Sequence, residues 1–146
     1  MLIREGNNVV EILATDRVAD HLPTPGDTRL AITVSSNGFS GQGSAWVEAE
    51  CLAEFLQQLR ALEETRQGAA ELESMSPDEL RLRIWSVDRR GHLAVGGRVS
   101  RWARGYDGSD SYRQLVEFGF EFDPTLLPDA VVSFQSILEG GGEERK

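Results

Sequence analysis

The sequence predicts an α+β fold in which a single antiparallel sheet of about six strands carries two helices on one face, in the order βββα-βββα. Apolar and polar residues alternate in several short segments, which is the period of a half-buried strand. In two other segments apolar residues recur at spacings of three and four, which is the period of a helix. Most connections between the strands are short, and strands joined in this way usually pair antiparallel.

The first half of the chain is predicted to contain three strands, at residues 9–14, 30–34 and 44–49, followed by a helix. Residues 16–28 are rich in proline and form a loop that is too long for a simple hairpin turn. Asn37 and Gly38 tolerate a positive φ, so the second and third strands are predicted to form a hairpin. The helix has one apolar stripe, which consists of Leu52, Phe55, Leu56, Leu59 and Leu62.

The second half is predicted to contain strands at residues 80–84, 92–103 and 112–122 and a helix at residues 128–138. The segment Ser76-Pro77-Asp78-Glu79 resembles a helix start. The residues after it alternate with a period of two, so we predict a turn that leads into a strand. One side of the last strand is apolar and should face the core, with Val116, Phe118, Phe120 and Phe122. Residues 1–139 are predicted to form one domain, and residues 140–146 a disordered tail.

Composition and charge restrict the class of protein. With 40% hydrophobic and 27% charged residues, the chain is too apolar to be disordered. It has no apolar run of the about 20 residues that a membrane helix needs and no signal-peptide core at its start, so we expect a cytoplasmic protein. The 24 acidic residues outnumber the 15 basic ones and give a net charge of −9. This charge disfavours nucleic acids and membranes as partners and favours a basic protein.

No catalytic, cofactor-binding or metal-binding site is predicted. The glycines at positions 38, 41 and 43 lie where a strand follows, so they indicate a hairpin tip rather than a phosphate loop. His21 and His92 lack the spacing of paired metal ligands on a helix. Cys51, the single cysteine, begins the first helix, where a helix dipole can lower the pKa of a thiol, but the sequence places no histidine beside it and buried cysteines are common.

One candidate binding surface is acidic. Glu50, Glu54 and Glu64 follow the side of the first predicted helix that lies opposite its apolar stripe. Glu71 and Glu73 continue the acidic stretch beyond the helix. These five residues are the candidate contacts for a basic protein partner, and the alternative is an ordinary solvated surface.

A second candidate surface follows from the alternation of side chains between the two faces of a strand. If Leu80, Leu82 and Ile84 face the helices, their neighbours face the other way. This outward set is predicted to unite three tryptophans with arginines, and it contains Trp46, Arg81, Arg83, Trp85, Arg98 and Trp102. Such a surface suits a small ligand or a peptide. Two alternatives remain open: a bulge at residues 96–97 reverses the register, or the loops at residues 16–28 and 103–111 cover the tryptophans.

Several short motifs resemble those of the WapI-type immunity proteins over about residues 28–138. They are Asn37-Gly-Phe, Trp46-Val-Glu, the helix at residues 52–59, Ser76-Pro-Asp-Glu-Leu-x-Leu, Gly91-His, Phe118-x-Phe-x-x-Asp and the closing helix. The resemblance implies a non-catalytic bacterial cytoplasmic protein that binds and neutralises the toxic C-terminal domain of a polymorphic secreted toxin, often a nuclease. It assigns no contact residues and leaves the first 27 residues unassigned. Together with the charge, it predicts a basic toxin domain as the partner.

Overall fold

Two four-stranded antiparallel sheets, each followed by a helix, make up the fold in a computed structural model that describes residues 1–76 and 78–140. The first sheet contains β1 (Leu2–Glu5), β2 (Asn8–Arg17), β3 (Thr28–Ser36) and β4 (Phe39–Val47), and helix α1 (Ala49–Thr65) follows it. The second sheet contains β5 (Ala69–Glu73), β6 (Leu80–Ser86), β7 (Leu93–Arg104) and β8 (Ser111–Phe122). A short 3₁₀ turn, Pro124–Leu126, leads into helix α2 (Leu127–Leu138). In both sheets the strands pair in chain order.

The α+β class, the two helices and the antiparallel pairing are confirmed, but the prediction of a single six-stranded sheet is wrong. Each predicted group of three strands gains a strand at its start, so the order is ββββα repeated twice. In β1 only Ile3 is buried, which leaves too little apolar signal to predict a strand. In β5, Ala70 and Leu72 are buried, but they alternate with glutamates that belong to a charged stretch of the sequence.

The two sheets meet where β4 lies against β7 and β8. A Cβ atom added to Gly41 would lie 2.6 Å from a methyl carbon of Val116, and one added to Gly43 would lie 2.9 Å from a methyl carbon of Val99. These glycines therefore do more than shape a hairpin, because they allow one sheet to approach the other closely. One continuous core is formed by residues of both sheets and both helices.

The helices pack on each other through Phe55 and Phe134, whose rings meet edge to face with centroids 4.8 Å apart. The five residues of the predicted apolar stripe of α1 are all buried. At the start of α1 the backbone N–H of Ala49 donates to the carboxylate of Asp27 (3.0 Å), which lies at the end of the long loop of residues 18–27. This bond replaces a cap from the helix's own N-cap residue, which makes no side-chain cap bond.

Two further local predictions are confirmed. Asp78 and Glu79 form a turn before β6, where the N–H of Glu79 donates to the carbonyl of Ser76 (3.0 Å), and the strand begins at Leu80; Pro77 lies outside the described residues. The apolar side of β8 faces the core, although only Phe122 is fully buried and its neighbours on that side are half-buried. Most of the predicted disordered tail, residues 141–146, lies outside the described residues.

Candidate protein-binding surfaces

The exposed side of α1 carries three of the five predicted acidic contacts. Glu50, Glu54 and Glu64 are all exposed, on the side opposite the buried stripe. Between them lie the exposed side chains of Gln57 and Ala61. A partner approaching this side therefore meets carboxylates first.

Strand β5 brings the other two acidic contacts beside the helix. The backbone N–H of Glu71 donates to Oε1 of Gln58 on α1 (2.8 Å), which joins the edge of the second sheet to the helix. Glu71 and Glu73 are exposed and point to the outer face of that sheet, since Ala70 and Leu72 point into the core. We call Glu50, Glu54, Glu64, Glu71 and Glu73 the acidic surface.

The thiol of Cys51 reports the charge at the start of α1. Burial raises its pKa, and nearby carboxylates raise it further because they disfavour a thiolate; they belong to Glu48, Glu54, Glu50 and Glu73. The net effect of these surroundings is thus opposite to the lowering that a helix dipole alone gives. The half-buried cysteine remains a protonated thiol near neutral pH, which is the form that reacts slowly.

The outer face of the second sheet contains a groove of about 400 Å³ lined by four members of the predicted tryptophan and arginine set, Arg81, Arg83, Trp85 and Arg98. The register runs through residues 96–97 without a break, so the alternative of a bulge there is wrong. The guanidinium of Arg83 lies 5.1 Å from the centroid of the Trp85 ring, and its Nε lies 3.3 Å from a carboxylate oxygen of Glu71. We call this site the arginine groove.

The other two tryptophans lie apart from the arginine groove. Trp102 is on the same face of β7, but it lies beyond Val99, the last residue of β7 that pairs with β6, and its side chain is 66% exposed. The loop after it therefore does not cover it. Trp46 belongs to the first sheet, where it pairs with Arg29. Placing all three tryptophans on one surface is therefore wrong, because that placement assumed a single sheet.

The described residues contain no group of three or more histidine, cysteine, aspartate or glutamate side chains arranged to hold a metal ion. His92 is hydrogen-bonded through Nδ1 to the carboxylate of Asp88 in the turn between β6 and β7. Asp88 also accepts from the backbone N–H of Arg90 (2.8 Å). These bonds lower the pKa of Asp88, with the bond to His92 as the largest cause. The pair stabilises a turn.

Comparison with known protein families assigns the chain to one of them. The model of the immunity protein WapI-like family matches residues 3–140. This protein belongs to that family. The match extends the resemblance seen in the sequence to the first strand, so the residues matched by the WapI-like family include both sheets and both helices described above. No curated protein and no solved structure matches the chain.

The family description places this WapI-like protein among immunity proteins, which neutralise toxins. Both candidate surfaces lie within the matched residues. In the part of the chain that the structure describes, neither helix is long and apolar enough to cross a bilayer.

Proposed function

We propose that this protein is a non-catalytic cytoplasmic immunity protein that binds and neutralises the toxic domain of a cognate bacterial toxin. The observation that carries this proposal is the family match, which covers residues 3–140 and hence nearly the whole described fold. The partner is a basic protein domain, and the protein acts by covering part of that domain rather than by transforming a substrate.

The acidic surface supports a basic partner. Its glutamates are exposed, and the chain as a whole carries a net charge of −9. Opposite charge on the two proteins accelerates their encounter and orients them before contact. The glutamates on the exposed side of α1 therefore favour a basic partner and orient it, whereas Glu71 on β5 shares its charge with Arg83 (3.3 Å).

We further propose that the toxin domain is a nuclease. A nuclease binds the phosphates of its substrate through a positively charged surface. An acidic protein bound to that surface competes directly with nucleic acid for the same cations. Inhibition then requires no covalent chemistry and no change in the fold of the immunity protein.

The test is co-expression with the cognate toxin domain, which the resemblance to WapI-type immunity proteins implies is encoded beside this gene. We expect the protein to restore the growth of cells that produce this domain, to form a complex with it that is stable to gel filtration, and to block degradation of nucleic acid by the purified domain. A growth defect that persists at equal expression, together with separate elution of the two proteins, would contradict the proposal.

The arginine groove favours a second candidate function, which is the binding of a small ligand or a peptide. Its cavity of about 400 Å³ presents arginines, an indole and the carboxylates of Glu71, Glu73 and Glu117 on one sheet face. Peptides selected from a random library against the wild-type protein test this candidate. Such peptides should lose binding to the variant Arg81→Ala with Arg83→Ala, and retained binding would exclude the groove as their site.

A further inference from the structure

A cleft of about 810 Å³ lies between the loop of residues 18–27 and the start of α1. Its apolar lining includes Trp46, Met75 and Pro25, and its charged lining consists of the carboxylates of Asp27, Glu48 and Glu50. None of the described residues that line it is a lysine or an arginine. The cleft thus combines an apolar floor with charge of a single sign.

Trp46 lies on the cleft side of the sheet because of its position in β4. Ala45 and Val47 on either side of it are buried in the core, so the indole points away from the core and is 38% exposed. The backbone N–H of Met75 donates to the carbonyl of Trp46 (2.9 Å), which holds Met75 beside it with its side chain 44% exposed. A large apolar surface is therefore accessible inside a concavity.

The carboxylates of the cleft have different roles. Asp27 is buried and uses one oxygen to accept the N–H of Ala49, so it belongs to the structure of the helix start. Glu48 and Glu50 are exposed, and neither makes an ion pair within the described residues. The pKa of the neighbouring Cys51 thiol is raised first by burial and then by carboxylates that include those of Glu48 and Glu50, which lie close to it.

We propose that the cleft receives an arginine or lysine side chain of the toxin domain, with its aliphatic stem against Trp46 and Met75 and its cation facing the carboxylates of Glu48 and Glu50. This inference rests on the proposed function and specifies its contact chemistry. A long basic side chain buries its methylene groups on apolar surface while its charged end stays with groups of opposite charge. Buried tryptophan and arginine contacts dominate the energies of many protein interfaces.

The cleft is continuous with the acidic surface, because Glu50 lines the cleft and belongs to that surface as well. Glu54 follows one helical turn further along α1. The exposed glutamates of the helix therefore guide a basic partner toward the cleft, and the cleft provides the anchoring contact. An aromatic side chain of the partner would use the apolar floor but not the carboxylates, so substitution of the carboxylates separates the two occupants.

The experiment measures the affinity and dissociation rate of the toxin domain encoded beside this gene for four forms of the protein. They are the wild type, Trp46→Ala, Glu48→Gln with Glu50→Gln, and the control Phe39→Ala. Phe39 is an exposed aromatic residue at the other end of β4. Melting temperatures of all four forms are recorded. If Trp46→Ala proves to be unfolded, the double glutamine variant alone tests the inference, since both of its substituted residues are exposed.

We expect Trp46→Ala to weaken binding about 30-fold and the double glutamine variant about 10-fold, both with faster dissociation, and Phe39→Ala to change it less than about twofold. Unchanged binding by a folded Trp46→Ala variant would overturn the inference. Weakening by Trp46→Ala alone would also overturn it and indicate an apolar occupant. If the wild type does not bind the domain at all, the proposed function fails and this inference with it, which is a different outcome from a wild type that binds without using the cleft.

Discussion

A Cβ atom added to Gly97 would overlap the main-chain carbonyl oxygen of Arg81, so strands β6 and β7 leave no space for a side chain at this position. We predict that Gly97→Ala lowers the free energy of unfolding by about 3 kcal/mol, because the two strands must separate to admit a methyl group. Urea unfolding followed by circular dichroism measures this change.

Gly119 on β8 provides the matched control. A Cβ atom there would lie no closer than 3.9 Å to its nearest neighbour, the carbonyl oxygen of Val95. Gly119→Ala should therefore leave stability unchanged or raise it by up to about 1 kcal/mol, since glycine is unfavourable within a strand. Equal losses of stability in the two variants would contradict the close approach at Gly97.

Reversal of charge on α1 should slow association with the toxin domain. We predict that Glu54→Lys with Glu64→Lys reduces the association rate about tenfold at low salt and flattens its dependence on ionic strength. Both side chains are exposed, so the free energy of unfolding should change by less than about 0.5 kcal/mol. Stopped-flow mixing at several salt concentrations measures the rate.

The control for this reversal is Asp110→Lys with Glu121→Lys, which changes the net charge equally at exposed sites of the β7–β8 hairpin. If the acidic surface orients the partner, the control should slow association less than the helix variant. Equal rates for the two variants would show that only the net charge matters, and the acidic surface would lose its assigned role.

The thiol of Cys51 should react slowly with iodoacetamide under native conditions. Burial and the surrounding carboxylates raise its pKa, so the midpoint of the pH-rate profile should lie above that of N-acetylcysteine. The variant Glu50→Gln with Glu54→Gln removes two of these charges and should shift the midpoint to lower pH. A wild-type midpoint at or below that of N-acetylcysteine would contradict the described environment.

Asp88 should contribute to stability in a pH-dependent way. Its pKa is lowered in the folded state, chiefly by the hydrogen bond to His92. Its contribution is therefore present above the unfolded-state pKa of about 3.9 and is lost as the pH falls through the lower folded-state pKa. Asp88→Asn should be less stable than the wild type at about pH 5, and the two should converge toward about pH 2. A constant difference across urea unfolding curves in this range would refute the linkage.

The sequence allows prediction of an element where its apolar pattern is long enough. Helix α1 has five buried residues at helical spacing, and β8 alternates through its last four apolar positions. Strand β1 offers only Ile3 to the core, and β5 presents its glutamates as prominently as its apolar residues, so neither pattern predicts a strand. The length of the apolar pattern therefore decides whether each of these elements can be predicted from the sequence.

The division into two sheets could not be predicted, because it depends on contacts between distant strands. Gly41 and Gly43 resemble hairpin glycines in the sequence, and only the fold shows that they lie against Val116 and Val99 of the other sheet. The same division moves Trp46 away from the other tryptophans and into the cleft beside α1. The side chains that face the arginine groove could be predicted, since this requires only that side chains alternate between the two faces of β6 and β7.

The bond between Gln58 and the N–H of Glu71 bears on how the protein behaves when it is abundant. An unprotected strand at the margin of a sheet is a template for pairing with other chains, and aggregation often begins there. Here a backbone N–H at that margin already donates a hydrogen bond to a side chain on a helix of the same chain. The second sheet is thereby discouraged from recruiting strands of neighbouring copies, which favours a dispersed protein at high concentration.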